Sequence, residues 1–206
     1  RQGAETDVQV AAEFGSIRSD AALCKAYGRD MADAMMAVEH ATKPVIAAIE
    51  GNCFGASVAL TLAADFRVAA TNARFAITPA KLGALYLRSD LHRLVAAIGQ
   101  GQARRMIFTA TALGASDAAA IGLVDHLLDT DCFDAELGQF EQAIVQGSSY
   151  TLFHTKRMLR SIGHGTTPLE NDESLGWFVD AMQGKDFAEG VMAFMDKRSP
   201  VFSRSM

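Results

Sequence analysis

The segment from residue 45 to residue 57 constrains the fold more than any other part of this chain. Residues 45–49 form a short continuous apolar run, VIAAI, which is typical of a strand buried in a parallel sheet. Gly51, Gly55 and Ala56 follow this run, and small residues in such a cluster predict a tight turn. The segment therefore predicts a buried strand that turns sharply into a helix.

The next elements place this unit in the α/β class. A helix rich in alanine is predicted over 57–64, and a second apolar strand is predicted over 66–70. A strand, a tight turn, a helix and a further strand in this order indicate a parallel sheet covered by helices. Other predicted elements are a long helix at 16–41, strands at 74–77 and 123–128, helices at 90–99 and 101–108 around Gly99, and a helix that is capped by Ser116-Asp117 and ends at Gly122.

The C-terminal part of the chain has a different pattern. Residues 1–130 contain all the predicted strands, whereas residues 131–206 show only helical periodicity. Four helices are predicted there, over 132–146, 151–162, 170–182 and 186–196. The sequence therefore predicts one α/β core with a helical appendage.

The turn at 51–57 also carries the main functional signal. Backbone N–H groups in the first turn of a helix have no acceptor within the helix, and the helix dipole places positive charge behind them. Such groups can hold an anion or an oxygen that becomes negative during a reaction. The same pattern also fits a turn whose small residues serve packing alone, and this segment by itself does not decide between the two.

Composition excludes several classes of function. Of the 206 residues, 50% are hydrophobic and 21% are charged, which indicates a globular protein. A net charge of −5 argues against a broad nucleic-acid surface, and we expect no membrane span because the apolar runs are too short. Three irregularly spaced cysteines (Cys24, Cys53 and Cys132) favour reduced thiols in a cytoplasmic protein over disulfides or a metal site.

Several segments in order resemble the crotonase (enoyl-CoA hydratase/isomerase) superfamily. Residues 43–51, KPVIAAIEG, are similar to that family's KPVIAAVNG, and 64–70, ADFRVAA, resemble its CDxRxAA. Residues 54–57, FGAS, stand at its glycine-rich turn, and the C-terminal segment 186–202 resembles its closing helix. The resemblance implies a ββα spiral core with a helical C-terminal part that forms trimers or hexamers. It also implies that N-terminal strands of the family's sheet are missing from this chain.

The resemblance assigns roles to individual residues. Two backbone N–H groups, those of Ala56 and Ala4, match the donors that hold the thioester oxygen of an acyl-CoA substrate in this family. Lys197 and Phe194 match positions that contact coenzyme A, although Lys197 also fits an ordinary solvated lysine. Coenzyme A is expected only as part of the substrate, and no resident cofactor or metal is expected.

Two positions depart from the hydratase pattern. Ala59 and Pro79 stand where the resemblance places the two glutamates that activate water, and neither side chain can transfer a proton. Residues 78–86, TPAKLGALY, resemble the methylmalonyl-CoA decarboxylase group of the superfamily, in which the residue matching Tyr86 orients a carboxylate. That group keeps a glutamate where this chain has Ala59, and Tyr86 also fits a loop aromatic that packs on the core.

Three classes of function follow from these observations. The first is an enzyme that transforms an acyl-CoA thioester through its enolate, by isomerase or hydratase chemistry or by decarboxylation. The second is a non-catalytic acyl-CoA binding protein, which the loss of both glutamates favours. The third is an interaction protein that keeps the fold alone, and the turn at Ala56 argues against it.

Overall fold

A computed structural model of the chain describes residues 20–163 and 170–202. Its main helices and strands lie close to the positions that the sequence predicts. The helices are α1 (Ala21–Glu39), α2 (Ala56–Ala63), α3 (Pro79–Leu82), α4 (Arg88–Thr109), α5 (Ala115–Ala120), α6 (Phe133–Val145), α7 (Ser149–Gly163), α8 (Asp172–Gln183) and α9 (Lys185–Asp196). The strands are β1 (Ile46–Ile49), β2 (Asn52–Phe54), β3 (Phe66–Ala70), β4 (Arg74–Ala76), β5 (Leu113–Gly114) and β6 (His126–Leu128), and a 3₁₀ turn spans Thr130–Cys132.

The strands form two small sheets. Strands β1, β3 and β6 are parallel and lie in the order β1-β3-β6. The second sheet has the order β2-β4-β5, in which β2 and β4 are parallel and β5 runs antiparallel to β4. The chain passes from the first sheet to the second at the turn after β1. That turn therefore lies between the two sheets in the chain. Parallel strands connected through helices confirm the predicted α/β class.

The core lies between these sheets and helices α2 and α4. Its largest fully buried side chains include Phe75, Ile77 and Leu94, and burial of a side chain of this size stabilises the fold by about 1.5–3 kcal/mol. Val58 of α2 is also fully buried, whereas Ala56 at the start of the same helix is exposed. Helix α2 is therefore fixed by its inner face, while its N-terminus opens towards solvent.

Helix α4 has the break that the sequence predicts. Gly99 has φ 72° and ψ 163°, which is not helical, and it divides the element into two helical parts. A residue with a side chain rarely adopts this backbone conformation, so glycine is required here. The helix begins at Arg88, so Asp90 lies in its first turn.

Two local predictions are wrong. Gly114 precedes helix α5 and caps it without a side-chain bond, so Ser116 and Asp117 lie inside the helix and do not cap it. The strand predicted over 123–128 is shortened to 126–128. The backbone N–H groups of Leu123 and Val124 donate to the carbonyl of Ala118 (2.9 and 3.3 Å), which holds them in the turn after α5.

Beyond the 3₁₀ turn, the described residues form helices, which confirms the predicted helical C-terminal part. Helix α8 packs against both α7 and α9. A division into domains at residue 130 stays a prediction. Within residues 20–163 and 170–202, no helix combines the length and the apolar composition that crossing a membrane requires.

Candidate active site

Two glycines shape the turn between β1 and α2. Gly51 has φ 65° and Gly55 has φ 57°, both in the region that residues with a Cβ rarely adopt. A Cβ placed on either residue would meet no atom within 4 Å, so the backbone angle, and not lack of space, requires glycine. Both residues are hydrogen-bonded to β4. The carbonyl oxygen of Gly51 accepts from the N–H of Arg74 (2.8 Å), and the N–H of Gly55 donates to the carbonyl oxygen of Ala76 (2.9 Å).

This turn presents a backbone donor to solvent. Ala56 is the first residue of α2, and its N–H has no acceptor within the part of the chain that the structure describes. Ala56 and the next residue, Ser57, are both exposed. The positive end of the α2 dipole lies at the same point. The geometry therefore gives an unused N–H at an exposed residue at the start of α2.

The side chain of Tyr86 lies directly beside this donor. Its hydroxyl donates to the carbonyl oxygen of Gly55 at 2.5 Å, and its half-buried ring packs against the small cluster that contains Met35 and Ala59. Burial is the largest cause that raises the pKa of the Tyr86 hydroxyl, and electrostatic interactions with Asp90 and then with Cys53 add to it. The backbone N–H of Ala59 acts in the opposite direction. The hydroxyl therefore stays protonated and remains a donor at neutral pH.

Nearby titratable groups have other roles. The thiol of Cys53 is buried, and burial raises its pKa against the lowering effect of a hydrogen bond to Thr61, so it is a weak nucleophile. Asp90 is only 2% exposed and pairs with Arg93 (3.2 Å), which in turn pairs with Glu39 (2.7 Å). Burial raises the pKa of Asp90, and the positive charge of Arg93 opposes this. Asp90, Arg93 and Glu39 thus form an ion-pair network.

The positions matched to the hydratase glutamates lie in ordinary packing. Ala59 is 1% exposed within the cluster of Met35 and Ala63, and Pro79 is the first residue of α3. Neither position offers an acid or a base. Among the described residues, no group of three or more His, Cys, Asp or Glu side chains could hold a metal ion.

The structure places Lys197 and Phe194 on the C-terminal helices. Phe194 is 85% exposed and borders a cavity of about 620 Å³ that is lined by residues of α7, α8 and α9 and by Phe202. Lys197 ends α9 with φ 55°, and Arg198 beside it pairs with Glu189 (2.6 Å). Tyr86 and Ala56 thus lie at the same turn, whereas Phe194 and Lys197 lie at the C-terminal end of α9. Ala4 lies outside the described residues.

Sequence reasoning missed one functional group, the carbonyl oxygen of Gly55. It accepts from Tyr86 and also from the N–H of Val58 (3.0 Å), so it fixes the turn from two sides. Tyr86 is 31 residues away along the chain. No local spacing links the two, and only the glycine-rich turn itself could have drawn attention to this atom.

Comparison with known proteins supports the resemblance. A sequence model described as "Enoyl-CoA hydratase/isomerase" matches residues 11–205. Methylmalonyl-CoA decarboxylase from Escherichia coli K12 is 28% identical over 163 residues, which is 78% of this chain and 62% of the relative. Carnitinyl-CoA dehydratase from Escherichia coli O157:H7 is 31% identical over 166 residues, which is 78% of this chain and 63% of the relative. The chain thus spans less than two thirds of the length of these curated relatives.

Solved structures show the same fold. The structure of an enoyl-CoA hydratase/isomerase family protein from Hyphomonas neptunium has a TM-score of 0.88 and 38% sequence identity, and the match covers 94% of this chain and 74% of the other. An enoyl-CoA hydratase/carnithine racemase from Magnetospirillum magneticum also has a TM-score of 0.88, with 29% identity over 95% of this chain and 72% of the other. The chain therefore belongs to the enoyl-CoA hydratase/isomerase family, within the crotonase superfamily.

Proposed function

We propose that this protein binds an acyl-CoA thioester and stabilises its enolate through the backbone N–H of Ala56. The observation that carries this proposal is the unused N–H of an exposed residue at the start of α2, in a turn that contains two positive-φ glycines. When a thioester becomes an enolate, its carbonyl oxygen gains negative charge. A preorganised donor at that oxygen stabilises the enolate more than the substrate, which is the condition for catalysis.

A second donor is needed to hold the oxygen from two directions. We assign this role to the N–H of Ala4, because the residues Gly3-Ala4-Glu5 resemble the family's N-terminal turn. Lys197 and Phe194 are proposed to contact coenzyme A, the lysine as a point charge beside a phosphate. The charge of Lys197 and the exposure of both side chains support this assignment, since neither side chain is buried in the core.

Decarboxylation of a malonyl-type thioester is the second candidate, and one observation favours it over hydration. Positions 59 and 79 offer no carboxylate to activate water, and Ala59 is closed off by packing. Decarboxylation needs no general base. The bond between the α-carbon and the carboxylate breaks, CO₂ leaves, and the electron pair forms the enolate, which later takes a proton from solvent. The similarity to a methylmalonyl-CoA decarboxylase agrees with this reaction.

Coenzyme A thioesters are expected to raise the melting temperature of the protein. Stabilisation follows RT ln(1 + [L]/Kd), which is about 2.7 kcal/mol at a hundredfold excess over Kd. Lys197→Ala is expected to weaken this effect because it removes a charge near the phosphates. The measurement is thermal unfolding with butyryl-, crotonyl- and malonyl-CoA.

Lys25→Ala is the matched control for this experiment. It removes the same charge from an exposed position of α1, which does not line the cavity that Phe194 borders. The ligand-induced shift should stay at the wild-type value in this variant. If no CoA thioester at millimolar concentration shifts the unfolding of the wild type, the proposed function is wrong.

The mass of the product separates the reactions. Incubation with methylmalonyl-CoA should give a product lighter by one CO₂ if the protein is a decarboxylase. Bound thioesters recovered unchanged across a panel of enoyl-, malonyl- and methylmalonyl-CoA would instead show a binding protein without catalysis.

We also propose that the protein forms a trimer or a hexamer. Helices α8 and α9 carry many exposed apolar side chains, and apolar patches of this kind usually contact a partner. They include Leu175, Phe178, Val179, Met182, Phe187, Val191, Met192, Phe194 and Met195. Light scattering at micromolar concentration is therefore expected to give a mass at least three times that of one chain.

A charged residue in this patch should weaken the association. Met195→Asp places a carboxylate at a side chain that is 76% exposed in the single chain, so it should shift the mass towards the monomer without unfolding the helix. Gln183→Asp, at the exposed end of α8, is the control and should not change the mass. A monomeric wild-type protein would contradict the proposal.

A further inference from the structure

We infer that Tyr86 is a positioning residue, whose hydroxyl orients and polarises the peptide group between Gly55 and Ala56 so that the Ala56 N–H becomes a stronger donor. This inference rests on the proposed function, because it concerns the same N–H. It assigns Tyr86 a role that does not require contact with the substrate.

The argument starts from the geometry of one peptide bond. The carbonyl of Gly55 and the N–H of Ala56 belong to the same rigid plane and point in opposite directions. Tyr86 holds the carbonyl end of this plane at 2.5 Å. Whatever fixes the direction of the carbonyl therefore fixes the direction in which the N–H points.

The turn needs such a restraint because glycine allows several backbone angles. Gly55 has φ 57° and ψ −124°, and without a side chain it could rotate this plane at low energetic cost. The N–H of Val58 also donates to the Gly55 carbonyl, but it lies only three residues away, in the first turn of the same helix. Tyr86 is the restraint that comes from another part of the chain.

Tyr86 is itself held firmly enough to act as this restraint. It follows α3, which starts with Pro79 and ends at Gly83 with φ 69°. Its ring packs against the cluster of Met35, Ala59 and Ala63 and also against the main core. The ring therefore connects the turn to two parts of the hydrophobic core.

The same hydrogen bond changes the electronic character of the peptide group. A donor on a carbonyl draws electron density away from the amide nitrogen, so hydrogen bonds in such a chain strengthen one another by roughly 10–30%. The hydroxyl has one proton, and that proton is directed at Gly55. Donation to a substrate carboxylate, as the resemblance implies, would require this bond to break.

Infrared difference spectroscopy tests the inference directly. The probe is butyryl-CoA labelled with ¹³C at the thioester carbonyl, whose band moves to lower frequency when the oxygen accepts strong hydrogen bonds. The wild type should show a clear shift, and Tyr86→Phe should show a smaller one with an affinity changed less than about twofold. In turnover of a thioester that the wild type converts, the kcat of Tyr86→Phe should be about tenfold lower, while its KM stays within about twofold of the wild-type value.

Tyr150→Phe is the matched control, since it deletes a tyrosine hydroxyl that contacts the backbone carbonyl of Trp177 (3.3 Å) in the C-terminal helices. It should leave the carbonyl band unchanged. If Tyr86→Phe does not fold, 3-fluorotyrosine at position 86 keeps the bond and strengthens the donor, so the band should move further down.

The possible outcomes separate the inference from the proposed function. If the wild type shows the band shift and neither Tyr86→Phe nor 3-fluorotyrosine at position 86 alters it, the proposed role of Tyr86 is wrong. The donor role of Ala56 is kept in that case. A bound thioester without any band shift in the wild type overturns both.

Discussion

Replacing Ala56 with proline is expected to reduce turnover by about 10²–10³-fold, which is the usual effect of losing one donor to a reacting oxygen. A side-chain deletion cannot remove a backbone donor, but proline has no N–H. The fold should survive, because Ala56 is the first residue of α2 and proline is well accepted there. Gly55 has no Cβ that would meet the proline ring. Activity should collapse while the far-ultraviolet circular dichroism stays near that of the wild type.

Two variants control this result. Ala56→Ser keeps the N–H and changes only an exposed side chain, so it should retain most of the activity. Asp172→Pro places proline at the first residue of α8, behind a residue with extended backbone, and tests whether proline at a helix start disturbs the fold as such. If Ala56→Pro turned over substrate at the wild-type rate, this N–H would not be the donor.

The wild-type protein is expected to hydrate crotonyl-CoA slowly. General acid–base catalysis contributes about 10²–10⁴-fold, and positions 59 and 79 provide no group for it. The rate, read from the loss of ultraviolet absorbance of the conjugated thioester, should be lower by this factor than that of a family hydratase with both glutamates.

Binding has to be measured in the same experiment. A rise in melting temperature with crotonyl-CoA would show that the substrate is bound, so that slow hydration reflects missing chemistry and not missing affinity. Fast hydration by the purified wild type would mean that another carboxylate activates the water, and the assignment of Ala59 and Pro79 would have to be abandoned.

Strong local signals allowed much of the fold to be predicted from the sequence. Strand β3 was predicted at 66–70 and lies at Phe66–Ala70, because its apolar run is bounded on both sides. Gly99 was predicted to divide two helices and does so. Strands β2 and β5 were not predicted. They contain three and two residues, which is too short for any periodicity, and they exist because β4 pairs with both.

The candidate site was also predicted only in part. The turn at Gly55-Ala56 was predicted because glycine and small residues mark it locally. The contact from Tyr86 to Gly55 was not predicted, since it joins two segments that are 31 residues apart along the chain. The role of Asp90 in an ion pair was not predicted either: it is buried and pairs with Arg93, which also pairs with Glu39. The ion pair between Arg93 and Glu39 joins residues that are 54 positions apart, so it leaves no pattern in the local sequence.

The exposed N–H at the start of α2 bears on how such a site tolerates mutation. The donor belongs to the main chain, so almost any residue at position 56 would preserve it, and only proline there or a loss of the glycine conformation at 51 or 55 would remove it. Acid and base groups, in contrast, are side chains that single codon changes can add or delete. Under the proposed function, selection can therefore exchange the acid and base groups of the reaction while the main-chain donor is inherited unchanged.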